Sequence, residues 1–121
     1  MPPTGPICEN DIVSLPASGA LAANRHIKID SNGQLAYAGL GEDGIGLTQG
    51  IAAAAGDMVP VKLWTASGTF AVTLSAAAAT IGGPLYSAAN GKFSNSSSGT
   101  TRLVQLEAGT GDGSVIAAAR V

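Results

Sequence analysis

A chain of 121 residues is one domain in size and can bury roughly two thirds of its unfolded surface. Charged residues make up only 12% of it and the formal net charge is −2, so there is no basic stripe to neutralise phosphates, which argues against nucleic-acid binding. Hydrophobic content is 45%, largely alanine, with 4% aromatic residues, which predicts a thin core made by close backbone approach and completed in part by neighbouring subunits.

In chain order, residues 1–17 read as an extended N-terminal arm. Pro2, Pro3, Pro6 and Pro16 fix φ and remove donors, so the segment is not expected to occupy a central place in a sheet. The start lacks the cationic and apolar regions of a signal peptide, no run reaches the roughly 20 apolar residues of a membrane span, and Cys8 has no second cysteine to pair with. Cytoplasmic synthesis, with no membrane partner, is the expectation. Within the arm, Ile12, Val13 and Leu15 have the β-branched and aliphatic character to form a short edge strand on another subunit.

Residues 18–121 read as one β domain. Arg25–Ile29 and Gln34–Ala38 alternate around a turn at Ser31-Asn32-Gly33, a strong hairpin signal. Further strands are predicted at Gly44–Gln49, Met58–Trp64, Thr69–Leu74, Pro84–Tyr86, Lys92–Ser94, Thr101–Leu106 and Ser114–Val121. Val59, Val61 and Leu63 should share one face, and Phe70, Val72 and Leu74 another. Pro60 places its strand at an edge or at a bulge. The alanine runs at 52–55 and 76–79 are too short to be helices and read as turns or tight crossings. Asn95–Thr100 is a polar loop.

The chain repeats itself. Asn32-Gly33-Gln34-Leu35 returns as Asn90-Gly91-Lys92-Phe93 at an offset of 58 (90 − 32), which also carries Ile27 onto Leu85 and Asn24 onto Gly82. Gly56-Asp57 is echoed by Gly111-Asp112 at an offset of 55 (111 − 56), implying a shortening between the two signatures. Two similar β-units, about 20–63 and 76–121, therefore build a compact barrel or sandwich-like all-β domain.

Residues with reactive potential have plainer explanations. His26, on an alternating strand, reads as a surface or interface residue, and Cys8 has no neighbouring base in sequence. Asp57 and Asp112 each follow a glycine before a strand and read as turn builders. Gly39-Leu40-Gly41-Glu42-Asp43-Gly44 has no helix after it and carries two acidic residues, so it fails as a phosphate loop. No catalytic, cofactor or metal residues are assigned, and the expectation is a non-enzymatic protein.

The order of motifs resembles a known family. It runs from the strand at His26-Ile27-Lys28 through the Asn-Gly turn, Gly44–Leu47 and Ala54-Ala55-Gly56-Asp57-Met58-Val59. Pro84–Lys92 and Glu107-Ala108-Gly109 follow, leading to Gly111-Asp112. In this order, over about residues 18–121, the chain is similar to the capsid decoration proteins of tailed bacteriophages, also called head cement or capsid fibre proteins. The resemblance implies a structural virion protein made in the host cytoplasm and bound to the major capsid protein on the outer surface of the head. It also implies homotrimers or dimers, a shell stabilised against internal pressure, and no cofactor. Candidate capsid or subunit contacts are Ile12, Val13, Leu15, Trp64, Phe70 and Leu74, large side chains on a chain poor in them. The alternative is a carrier or carbohydrate-binding β-module, since Lys92 after Asn90-Gly91 resembles the hairpin lysine of lipoyl and biotinyl carriers, without their acidic or methionine neighbour.

Overall fold

Short alternating segments separated by glycine, asparagine and serine give strands and turns throughout. The computed structural model describes residues 12–66, 68–78, 81–97, 99 and 103–120. The first half carries β1 (Ile12–Pro16), β2 (His26–Ile29), β3 (Leu35–Tyr37), β4 (Gly46–Thr48) and β5 (Met58–Leu63). The second carries β6 (Thr69–Thr73), β7 (Pro84–Ser87), β8 (Phe93–Ser94), β9 (Leu103–Gln105) and β10 (Val115–Arg120). A 3-10 turn at Ala89–Gly91 stands where the second Asn-Gly turn is predicted. The protein is all-β.

The strands form two five-stranded antiparallel sheets, ordered β1-β5-β4-β2-β3 and β6-β10-β9-β7-β8. Adding five to each strand number of the first order gives the second. Each sheet curls until the residue just past its first strand meets the third strand in a parallel bridge, Ala17 with Leu35 and Leu74 with Phe93. Two small barrels follow one another along the chain.

The repeat is more regular than the sequence predicts. β1 maps onto β6 and β5 onto β10 at an offset of 57 (69 − 12), while β2 and β3 map onto β7 and β8 at 58 (84 − 26). The counterpart of Gly56 is therefore Gly113, with φ of +90° and +87°, and not Gly111. Asp57 is matched in role by Ser114. Asp57 Oδ2 accepts from the Ala53 and Ala54 amides at 2.9 and 3.1 Å, and Ser114 Oγ accepts from the Gly111 amide at 3.2 Å. Asp57 is a turn builder as expected, whereas Asp112 is held chiefly by Lys92, with a smaller contribution from the Gly113 amide of its own turn.

The repeated units are 12–63 and 69–120, so residues 12–17 belong to the first unit and not to a separate arm. β1 pairs with β5 of its own chain, Val13 opposite Val61 and Leu15 opposite Val59. It is an edge strand, as its prolines require, but its partner is intramolecular because Val13 and Ala17 have their own barrel to fill. The rest of the arm, residues 1–11, lies outside the described residues. Pro60 is a second correction, since β5 lies between β1 and β4. Opposite Pro60 on one side is Ser14, and on the other Gln49, one residue past the end of β4, donates its amide to Pro60 O at 2.8 Å, so the proline stands where the β4–β5 ladder ends and only the reciprocal bond is missing.

The first barrel is filled by Val13, Ala17, Leu21, Ile27, Leu35, Ala52, Val59 and Val61. In the second barrel Phe70, Leu74, Leu85 and Phe93 take the places of Val13, Ala17, Ile27 and Leu35. The alanine runs act as tight crossings, with Ala52 bridged to Leu21 and Ala78 to Gly109. Each barrel also buries one polar side chain at the same place. Thr48 Oγ1 donates to Ala22 O at 2.7 Å and accepts from the Arg25 amide at 3.0 Å. Gln105 Nε2 donates to Ala78 O at 2.9 Å, and its Oε1 accepts from Asn95 Nδ2 at 2.8 Å.

Candidate functional site

The most chemically varied part of the molecule is the seam between the barrels. Along β2, Ile27 points into the first barrel, so His26 points out of it, beside Leu47 of β4. Such a face is ordinarily solvated, yet His26 is 3% and Leu47 0% exposed. The reason is the second barrel, which is open at one end. The outer face of the first barrel stops that end with His26, Leu47 and, from the connection after β5, Trp64.

His26 stacks on Phe93 with ring centroids 5.1 Å apart and tilts against Trp64 at 5.4 Å. Trp64 in turn lies 5.3 Å from the Phe70 ring and donates its indole N–H to Gly44 O at 3.0 Å. Lys62 reaches across with Nζ 4.5 Å from the centre of the Phe70 ring and donates to Thr69 O at 2.6 Å. Aromatic contacts of this kind add to plain burial.

The polar side of the seam is a directed chain of hydrogen bonds. The Gly44 amide donates to His26 Nε2 at 2.9 Å, so that nitrogen carries no proton and the tautomer is Nδ1–H. Nδ1–H then donates to Ser87 Oγ at 3.0 Å, and the Ser87 hydroxyl donates to Gly39 O at 2.7 Å. A histidine and a serine in contact invite comparison with a nucleophile and its base, but here the proton points from histidine to serine and both residues are buried. The pair clasps the barrels; it does not activate the serine.

Further bonds run beside it. Thr73 donates its amide and hydroxyl to Asn24 O at 3.1 and 2.9 Å, and the Gly91 amide donates to Ala38 O at 3.0 Å. Arg25 Nη1 donates to Asn90 O at 3.0 Å while its guanidinium lies over the Tyr37 ring, and Arg120 donates to Trp64 O. The glycine-rich loop 39–44 is thus a seam element. Glu42 shapes it by accepting from the Gly39 amide at 2.7 Å and from Lys28 Nζ at 2.7 Å, which holds its carboxyl below the ordinary 4.5.

The candidate contact residues separate on their burial. Trp64, Phe70 and Leu74 are 6%, 1% and 0% exposed and Val13 is 7% exposed, so all four belong to this chain's own interior. A thin core predicts them outside; the seam and the second barrel, whose core side chains are larger, take up Trp64, Phe70 and Leu74, and Val13 fills the first barrel. Leu15 packs half-buried against the first core, and Ile12 is 44% exposed on the edge strand. Cys8 lies outside the described residues. Among the described residues no cluster of three or more His, Cys, Asp or Glu is placed to hold a metal, and no helix is long and apolar enough to cross a membrane. Lys92, the candidate carrier lysine, has Nζ 2.7 Å from Asp112 Oδ1 and a side chain only 17% exposed. This ion pair, with its hydrogen bond foremost, holds the Asp112 carboxyl below the ordinary 3.8.

The clasp was not singled out in the sequence, although a trace of it is there. At the equivalent positions of the other unit stand Pro84 for His26 and Ile29 for Ser87, a matched departure from the repeat. No protein-family model and no curated protein matches the chain.

Proposed function

We propose that this protein is a capsid decoration protein of a tailed bacteriophage, a non-enzymatic structural component bound to the major capsid protein on the outside of the head. The observation that carries the reading is what the duplication preserves. Turn positions and packing positions recur, Asn24 with Gly82 at positive φ and Thr48 with Gln105 in the core, while His26, Lys92 and Asp112 are tied into structural contacts. A scaffold used twice suits a protein whose task is to present surface. The ordered motifs that resemble the cement family lie on that scaffold in both units. Self-association into trimers or dimers and the absence of a cofactor belong to the same reading.

The test is to mix the purified protein with expanded heads that lack it, then measure binding by sedimentation and head survival under heat and osmotic shock. Binding that raises survival is the expected result, since a ligand of the expanded shell shifts its stability by mass action. Heads that bind none of it, or survive no better when covered, would overturn the reading. The carrier alternative predicts a mass increase on Lys92, and no feature of that lysine's surroundings favours it.

A further inference from the structure

The joint between the barrels is heterologous: the outer face of the first, around His26, stops the open end of the second, around Ser87 and Gly91. Because the barrels are copies, each surface has a counterpart that this joint leaves unused. The counterpart of the outer face is on the second barrel, at Pro84, Val104 and Ala119. Pro84 is exposed there and the other two are half-buried. The counterpart of the open end is on the first barrel, at Ile29 and Gly33. Ile29 is 48% exposed, and a Cβ on Gly33 would meet nothing within 4 Å.

From this geometry we infer that a second copy of the chain docks its Pro84 face onto the Ile29 end of the first, repeating between chains the joint made within one. The side chains at the central position support it. Inside the chain the pair is polar on both sides, His26 to Ser87; on the unused surfaces it is apolar on both sides, Pro84 and Ile29. A polar residue facing an apolar one would lose a hydrogen bond, and the two exchanges avoid that together. Several bonds of the internal joint are not repeated: His26 to Ser87 has no counterpart, Thr73 donates both amide and hydroxyl to Asn24 O whereas Pro16 at the equivalent place has neither donor, and Gly83 stands for Arg25. The joint between chains is therefore the more apolar of the two. Being head-to-tail, it makes rings where the rotation closes and open chains where it does not. The inference names the surfaces of the self-association that the capsid reading includes, but its test is separate from that reading, since association in free solution needs no shell.

The experiment is sedimentation velocity and light scattering on the full chain and on two exposed-residue variants, Ile29→Lys and Pro84→Lys, with circular dichroism to show that each is folded. Wild type is expected to exceed its 11.8 kDa monomer mass as concentration rises. Each variant alone should associate at least roughly tenfold more weakly, the scale of one lost apolar anchor. Mixed in equal amounts they should form a one-to-one pair and stop, because each retains the surface the other lacks. Three results would overturn the inference: a wild type that is monomeric throughout; folded variants that associate as wild type does; or a mixture that stays monomeric while wild type assembles. If Ile29→Lys abolished binding to heads while wild type stayed monomeric, the open end would belong to the shell and not to a second copy.

Discussion

Gly33 and Gly91 stand at equivalent turn positions in the two barrels, at φ of +75° and +70°, but only Gly91 is pressed against the other barrel. A Cβ on Gly91 would lie 2.6 Å from His26 O and 2.8 Å from Tyr37 Cδ1, whereas on Gly33 it would meet open space. Gly33→Ala should therefore cost only the conformational penalty, about 1 kcal/mol. Gly91→Ala should cost that plus a backbone shift at the seam, in total about 3 kcal/mol. Urea unfolding of both variants checks this, and equal losses would mean that the seam yields freely at Gly91.

The clasp should behave as a coupled pair. His26→Ala leaves the buried Gly44 amide without its acceptor and opens space between Phe93 and Trp64, a loss of about 3 kcal/mol. Ser87→Ala should cost about 1–2 kcal/mol. In the double variant the losses should fall short of their sum by at least about 0.5 kcal/mol. Strict additivity in a double-mutant cycle would show that the two side chains act independently.

Thr48 and Gln105 should both be costly to make apolar despite their burial. Thr48→Val strands the Arg25 amide and Ala22 O. Gln105→Leu strips Glu107 O of its Gln105 donor and takes one of two hydrogen bonds from each of Ala78 O and Asn95 Nδ2, which keep the Gly109 amide and Pro84 O. Each substitution is expected to lower stability by about 1–3 kcal/mol. Thermal melts would record this as a fall of several degrees. A neutral or stabilising Thr48→Val would mean that water or a local shift replaces its bonds.

Acid should act on Glu42 and Asp112 at low pH. Both carboxyls lie below their ordinary values of 4.5 and 3.8, chiefly through hydrogen bonds from Lys28 and Lys92 respectively. A carboxyl depressed by folding favours the folded state above its unfolded value, and that contribution is lost as pH falls through the folded value. Because both groups are exposed, the effect on stability is small and the titration itself is the better readout. Carbon-13 NMR should show Lys28→Met moving Glu42 upward and leaving Asp112 alone, with Lys92→Met doing the reverse. Asp112 should return only part of the way, since Arg25 also lowers it.

Strand positions were legible because apolar alternation is a local property. Val59 and Val61, like Phe70, Val72 and Leu74, lie on the inward faces predicted for them. The repeat was legible too, down to Asn24 and Gly82 sharing a positive φ. Gly56-Asp57 and Gly111-Asp112 share letters but not a place in the repeat, because the hydrogen-bonding task of Asp57 passes to Ser114. The edge strand at Ile12, Val13 and Leu15 is legible in the sequence, but its partner is not, because nothing local distinguishes β5 of the same chain from a strand of another. Trp64 and Phe70 were placed outside because burial between two barrels is decided by a docking that no local pattern records. His26 was expected at a surface or an interface, and the interface proves to lie inside one chain.

The order of the joint along the chain bears on how the protein is made. Residues 12–63 contain all five strands of the first barrel, so a nascent chain can close it before β10 has been synthesised. The second barrel has the larger side chains and the open end, and the surface that stops this end lies on the barrel made earlier. Each later strand can therefore settle against a partner already in place, and the synthesis order spares Phe70 and Phe93 a long exposure to water.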